Sequence, residues 1–255
     1  MTAALTRRTV DVPTSDGVAD SYFVHPATGA HPPVLLFMDG IGLRRRLEQM
    51  ADRIAERGYA VLVPNMFYRA GRAPVVPNVA ERLRTEDRAT VMADVIPLIR
   101  ALTPELAARD TQAFVDFLDG QTAVAAGPIA TVGYCMGGAL ALRAAISMPE
   151  RVAAAASFHG GNLAPDDPAG LHHQADRIRA EVYAAHADND GSMPPEQIAR
   201  LETALEAAGV AHTSELYAGA SHGFTMSDIA VHDAGAEQRH WDALLGLLER
   251  RLPTA

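Results

Sequence analysis

The 255-residue chain reads as an α/β protein with a mostly parallel central sheet and helices on both faces. Three observations lead there. Short apolar runs alternate with amphipathic helical stretches almost throughout. Inner runs such as Pro33–Met38 and Tyr59–Pro64 are apolar nearly without break, the pattern of strands covered on both faces. No internal repeat or low-complexity linker interrupts the series, so one domain over 1–255 is expected.

The elements follow in order. Val10–Val12 and Ser21–His25 form an opening hairpin around Thr14-Ser15-Asp16-Gly17. Pro33–Met38 is a buried strand. The next helix, from about Leu47 to Arg57, stops at Gly58, which suits a left-handed C-cap. Tyr59–Pro64 is again a buried strand. The stretch from Asn65 to Glu81, rich in Pro and Gly and carrying Tyr68, Arg69 and Arg72, is long for a plain connection, and such loops are often functional. Helices are expected over Asp87–Leu102 and Asp110–Leu118. A strand at Pro128–Val132 leads into a helix at Met136–Ser147, and Val152–Phe158 is the strand after it. Beyond a polar loop at Gly160–Gly170 come a strand at Ile178–Ala185 and a helix at Pro195–Ala208 that opens on proline and ends at Gly209. Thr213–Tyr217 is the last strand and Ala234–Arg250 the closing helix.

Composition excludes several classes of function. A hydrophobic content of 48% with 21% charged residues is that of an ordinary globular protein. A net charge of -9 argues against a nucleic-acid partner, because no basic surface is dense enough to grip phosphates. The densest basic run, Arg44-Arg45-Arg46, reads as a solvated helix start. A single cysteine cannot form an internal disulfide, which fits a reducing compartment. Met1-Thr2-Ala3-Ala4-Leu5-Thr6-Arg7-Arg8 lacks the apolar core of a signal peptide, and no run approaches the ~18 apolar residues of a membrane helix. A cytoplasmic protein without a membrane partner is expected, as a monomer or small homo-oligomer. His172 and His173 are adjacent, so on a helix they diverge by about 100°. With no His-Glu-x-x-His spacing and one cysteine, neither a metal nor a cofactor is expected.

The one cysteine carries the chemistry. Cys135 lies in Gly133-Tyr134-Cys135-Met136-Gly137-Gly138, between a strand and an Ala/Leu-rich helix. This is a nucleophile elbow with sulfur in place of the usual hydroxyl: glycines flank a turn too tight for side chains, and the helix N-terminus favours a thiolate. A thiol there needs a base, and the base needs an acid to orient it. In α/β-hydrolases the order along the chain is nucleophile, acid, histidine, each on a loop after a strand. The strand ending near Ala185 leads into His186-Ala187-Asp188-Asn189-Asp190-Gly191. The strand ending near Tyr217 leads into Ala218-Gly219-Ala220-Ser221-His222-Gly223. Asp190 is the chosen acid, Asp188 the runner-up, and His222 the base. Gly219-Ala220-Ser221-His222-Gly223 also matches a serine elbow, but it has no clean helix after it and no later loops to supply partners.

On these residues the sequence resembles the dienelactone hydrolase family of α/β-hydrolases. Gly133-Tyr134-Cys135-Met136-Gly137-Gly138-Ala139-Leu140-Ala141 is similar to the family's nucleophile motif, Asp190 followed by Pro194 to its acid loop, and Ser221-His222-Gly223-Phe224 to its histidine loop. The resemblance runs from about Pro33 to the last helix. It implies an α/β-hydrolase fold and carboxymethylenebutenolidase-type hydrolysis of a small lactone or ester through a Cys-His-Asp triad. It implies that Asp39, where the family has a glutamate, accepts the thiol proton, and that the Ile41 and Met136 N–H groups form the oxyanion hole. Arg84 matches the family arginine that meets a substrate carboxylate, with Arg69 a second candidate. Two positions depart: Met226 stands where a second arginine is expected, and Phe158-His159 where a tyrosine is expected. The rival readings are a carboxylesterase without lactone preference and a redox or binding protein on the same scaffold.

Overall fold

The computed structural model describes residues 4–86, 88–168 and 170–254. The chain forms two compact units, one of Met1–Gly127 with Asp228–Ala230 and Thr254–Ala255, the other of Pro128–Ser227 with Val231–Pro253.

In the first unit β1 (Leu5–Thr14) and β2 (Gly17–Pro26) pair antiparallel along their whole length, Leu5 opposite Pro26 and Thr14 opposite Gly17. Both hairpin strands run well past the apolar pattern, ten residues each, because backbone pairing with β2 carries the charged, largely exposed β1. Such charge on an outer strand discourages edge-to-edge association. β2 also pairs antiparallel with β4 (Ala60–Pro64), and β3 (Pro33–Phe37) pairs parallel with β4. Both short strands are buried at every residue. Between them α1 (Arg45–Ala55) turns Leu47, Met50, Ala51 and Ile54 inward.

Three helices complete this unit. α2 (Val79–Thr85) begins inside the stretch expected to be loop, because Val79 joins Val76, Val91 and Val95 in a small apolar cluster. α3 (Arg88–Ala101) fits the expected helix, whose proposed first residue, Asp87, lies outside the described residues. α4 (Pro104–Asp119) starts six residues before the apolar pattern does. Thr103 caps it by accepting a hydrogen bond from Leu106 N at 3.3 Å, and Pro104 supplies a preset φ in the first turn.

The second unit is the simpler. β5 (Ile129–Tyr134), β6 (Val152–Phe158), β7 (Glu181–Asn189) and β8 (His212–Ser221) lie side by side in chain order, all parallel. α5 (Met136–Ser147) crosses from β5 to β6, a 3-10 helix at Leu171–Arg177 precedes β7, and α6 (Pro195–Ala207) crosses from β7 to β8. α7 (Ala234–Arg251) buries Trp241, Leu244, Leu247 and Leu248. Its first turn is capped by Asp233, which accepts from Ala236 N at 2.9 Å. β7 and β8 each run about four residues past their expected ends, because their mutual pairing continues to Asn189 opposite Ser221. Among the described residues no helix is long and apolar enough to cross a membrane.

Candidate active site

Parallel pairing puts the carboxyl ends of β5, β6, β7 and β8 along one edge, and the first residue beyond each strand is chemically distinctive. These residues are Cys135 after Tyr134, His159 after Phe158, Asp190 after Asn189 and His222 after Ser221. The open edge past the strands is where α/β sheets place their sites.

Cys135 sits at φ +55° and ψ −118°, a backbone state that L residues seldom adopt and that costs about 1–3 kcal/mol. The bend is held by the strand N–H donating from Cys135 to Phe158 O at 3.1 Å and by Gly138 N–H donating to Cys135 O at 3.0 Å. Gly133 has no alternative, since a Cβ there would lie 1.8 Å from Gly137 O. A Cβ on Gly138 would lie 2.3 Å from Ser157 Oγ and 3.0 Å from the Cα of Gly160. The glycines therefore let the first turn of α5 press against the end of β6, and the thiol is left half-buried at the helix N-terminus.

His222 Nε2 lies 2.9 Å from Cys135 Sγ, and its Nδ1–H donates to Asp190 Oδ2 at 2.6 Å. The other carboxylate oxygen, Asp190 Oδ1, accepts from Ser192 N at 2.9 Å and from Ser192 Oγ at 2.6 Å. Asp188 faces elsewhere: its exposed carboxylate accepts from Gly219 N at 2.9 Å and braces the backbone just before His222. Burial disfavours charge on His222, but the negative sulfur of Cys135 and the hydrogen bond to Asp190 prevail and push it up to about 10. For Asp190, burial works toward the neutral acid, and the hydrogen bonds from His222 and Ser192 overcome it, leaving the carboxyl below its usual range.

These opposing influences give a direct test of the sulfur's part. Alkylating Cys135 with iodoacetamide turns the sulfur into a neutral thioether. The leading influence that raises His222 is then gone, burial remains, and its titration should fall from about 10. An NMR pH titration of the imidazole before and after alkylation reads this; an unmoved midpoint would remove Cys135 as the cause.

The second unit thus brings together Cys135, Met136, Asp190 and His222, with the Met136 N–H at the start of α5. Ser221 ends β8, and no helix follows it until Ala234, unlike the geometry after Cys135. Two residues here escaped sequence reasoning. Ser192 was legible only as part of the turn Asp190-Gly191-Ser192, and His159 only as a departure from the expected tyrosine.

The remaining candidates belong to the first unit. Asp39 receives both ends of the Arg44 fork, at 2.8 and 3.0 Å, and accepts from Ile41 N at 3.0 Å. Arg44 also donates to both oxygens of Asp228, at 2.6 and 3.1 Å, and to Gly42 O at 3.1 Å. Of the expected solvated run, Arg45 is exposed, but Arg44 is about 10% exposed, because two carboxylates replace its water. The proton-accepting role expected of Asp39 and the donor role expected of the Ile41 N–H therefore both compete with contacts inside this loop. Arg69 is likewise committed: its N–H groups reach Asp16 and the buried Asp110 at 2.7–2.9 Å, tying the hairpin turn to α4. Arg84 is exposed on α2 and has no ion pair among the described residues.

Among the described residues, metal-capable side chains gather at Glu202, Glu206 and His212, on α6 and the start of β8. The two glutamates are exposed, and His212 Nδ1 is hydrogen-bonded to Val210 O at 2.8 Å.

The sequence profile of the dienelactone hydrolase family matches residues 19–252. Over 99% of the chain and all of the relative's length, the sequence is 25% identical to a candidate carboxymethylenebutenolidase of Synechocystis sp.. The fold is similar to the crystal structure of a candidate dienelactone hydrolase from Klebsiella pneumoniae, with a TM-score of 0.82 and 18% identity over 96% of this chain and 98% of that one. It is also similar to a dienelactone hydrolase-like promiscuous phosphotriesterase from metagenomic libraries, with a TM-score of 0.79 and 26% identity over 98% of this chain and 100% of that one.

Proposed function

This chain belongs to the dienelactone hydrolase family, a hydrolase family of ester and lactone type, and we propose that it cleaves a small lactone or carboxylic ester through a thioester on Cys135. The observation that carries the proposal is the continuous hydrogen-bonded line from Cys135 Sγ through His222 to Asp190. The family match runs through both compact units, which supports taking 1–255 as one hydrolase domain. A reactive unpaired cysteine suits a reducing, cytoplasmic setting.

In the first half-reaction the Cys135 thiolate attacks the carbonyl carbon, forming a C–S bond and a tetrahedral oxyanion. The Met136 N–H, at the positive end of α5, is the oxyanion donor this unit supplies. Below about pH 10 His222 holds a proton, which it delivers to the leaving oxygen as the C–O bond breaks. The product is an alcohol, or for a lactone the hydroxyl end of the same molecule. The thioester sulfur is neutral, so the influence that kept His222 charged is gone, and the ring becomes the base needed next. It takes a proton from water as the oxygen attacks the thioester, the C–S bond breaks, and the acid leaves with the thiolate restored. Asp190 holds the ring through Nδ1 and steadies it when cationic. One water is consumed per bond cleaved.

For substrate class, Arg84 is the open candidate for a substrate carboxylate, since Arg69 is doubly paired. A second reading, an esterase for neutral substrates, is favoured by Met226: this buried, uncharged side chain occupies the place of an expected arginine four residues after His222. One experiment separates these readings. Intact-mass spectrometry of protein mixed with a panel of carboxylate-bearing lactones and neutral aryl esters should detect an acyl adduct on Cys135. Arg84→Ala should weaken only the anionic lactones if the lactone reading holds, and neither group if the esterase reading holds. Reversible oxidation of Cys135 with no adduct from any substrate would favour the redox or binding rival and end the proposal.

A further inference from the structure

His159 has no part in the steps above, yet it stands in the same row as the three residues that do. It is fully buried, its backbone adopts φ +40°, and it is the first residue after β6. Its ring packs edge-to-face with His222, centroids 5.3 Å apart and planes at 63°, and edge-to-face with Phe224 at 5.1 Å. Nε2 is hydrogen-bonded to Thr225 Oγ1 at 2.8 Å, three residues beyond His222. The ring is thus anchored to the far side of the loop that carries His222 and lies against His222 itself. A left-handed backbone on a non-glycine residue is costly, and such residues cluster where the surroundings require one placement.

On the footing of the proposed function, we infer that His159 is a positioning residue for His222: a neutral ring, tied to Thr225 and set edge-on, that keeps the imidazole between Cys135 and Asp190 as its proton comes and goes. The electrostatics agree. Burial, then His222 and His240, hold His159 well below the usual histidine range, outweighing the opposing pull of Asp190 and its own backbone. Tyr134, the remaining titratable ring against it, lies 6.0 Å away. Two imidazolium rings at this separation would repel, so a neutral His159 leaves the single positive charge on His222. An unanchored His222 would be free to turn about its side-chain bonds in the thioester state, when the charge on sulfur no longer holds it.

His159→Phe tests this, because it keeps a buried aromatic ring, a larger one, and removes the bond to Thr225. Thr225→Val removes the same bond from the other side without adding bulk. Each should lower kcat on the order of 10- to 10²-fold with KM unchanged. Each should also move the alkaline limb of kcat/KM below about 10, because a loosened ring loses part of the pull of Cys135 and Asp190. The double variant should be no worse than either single one, since both break one device. If both fold, by near-UV circular dichroism, and kcat and the alkaline limb match wild type, the inference is overturned. Should His159→Phe fail to fold, Thr225→Val carries the same readout. Failure of the wild type to acylate would count against the proposed function instead. In that case the NMR titration of His222 in the resting variants decides: a lowered midpoint supports positioning, and an unchanged one overturns it.

Discussion

Cys135→Ala is expected to reduce hydrolysis of every substrate by more than about 10⁴-fold, the largest effect of any single change in this chain. The loss follows from chemistry rather than stability. Alanine at φ +55° carries the same backbone strain as cysteine, and the hydrogen bonds that hold the bend are made by backbone atoms of Cys135, Phe158 and Gly138. The melting transition should therefore stay near that of wild type. What disappears is the atom on which the proposed thioester forms, and with it the negative partner that raises His222. The remaining Met136 N–H would still polarise a carbonyl, which accounts for residual activity over water. Steady-state assays on the lactone and ester panel, with intact mass as a second readout, check this. Turnover within tenfold of wild type would show that another nucleophile acts.

The second large effect is expected at Asp190→Asn, with kcat lowered on the order of 10⁴-fold and KM little changed. The side chain keeps its shape and can keep its contacts with Ser192, so folding should survive. Its charge is lost, and an amide can present N–H to His222 Nδ1, reversing the tautomer and aiming the wrong nitrogen state at the sulfur. The resting imidazolium, and the one formed again as water attacks the thioester, also loses its counter-charge. Asp188→Asn supplies the contrast: its contact is to the Gly219 N–H, so that variant should retain most of its kcat. If the two variants behaved alike, or Asp188→Asn were the more damaging, the assignment of Asp190 as the orienting acid would be wrong.

Much of this architecture was legible in the chain because its signals are local. Buried strands announce themselves as apolar runs, and the glycines around Cys135 mark a turn that no larger residue survives, as the 1.8 Å approach at Gly133 makes concrete. Strand ends and weakly apolar elements were less legible. The outer hairpin strand, the extra residues at the ends of β7 and β8, and α2 within the long connection depend on what each segment packs or pairs with. The Arg44 run was misread for the same reason, since its partners Asp39 and Asp228 are 5 and 184 residues away.

By itself, then, the sequence determined that this is an alternating α/β chain with a sulfur at a sharp bend, followed in order by an acidic loop and a histidine loop. Those are properties of short stretches, set by backbone sterics and apolar periodicity. Tertiary structure decided which aspartate meets His222, that Ser192 holds the other side of that carboxylate, and that His159 lies against the imidazole. It also decided that Arg69 and Asp39 are bound up in ion pairs. Such choices depend on directions and distances of a few ångströms between side chains, which strand register and the packing of loops and helices set together.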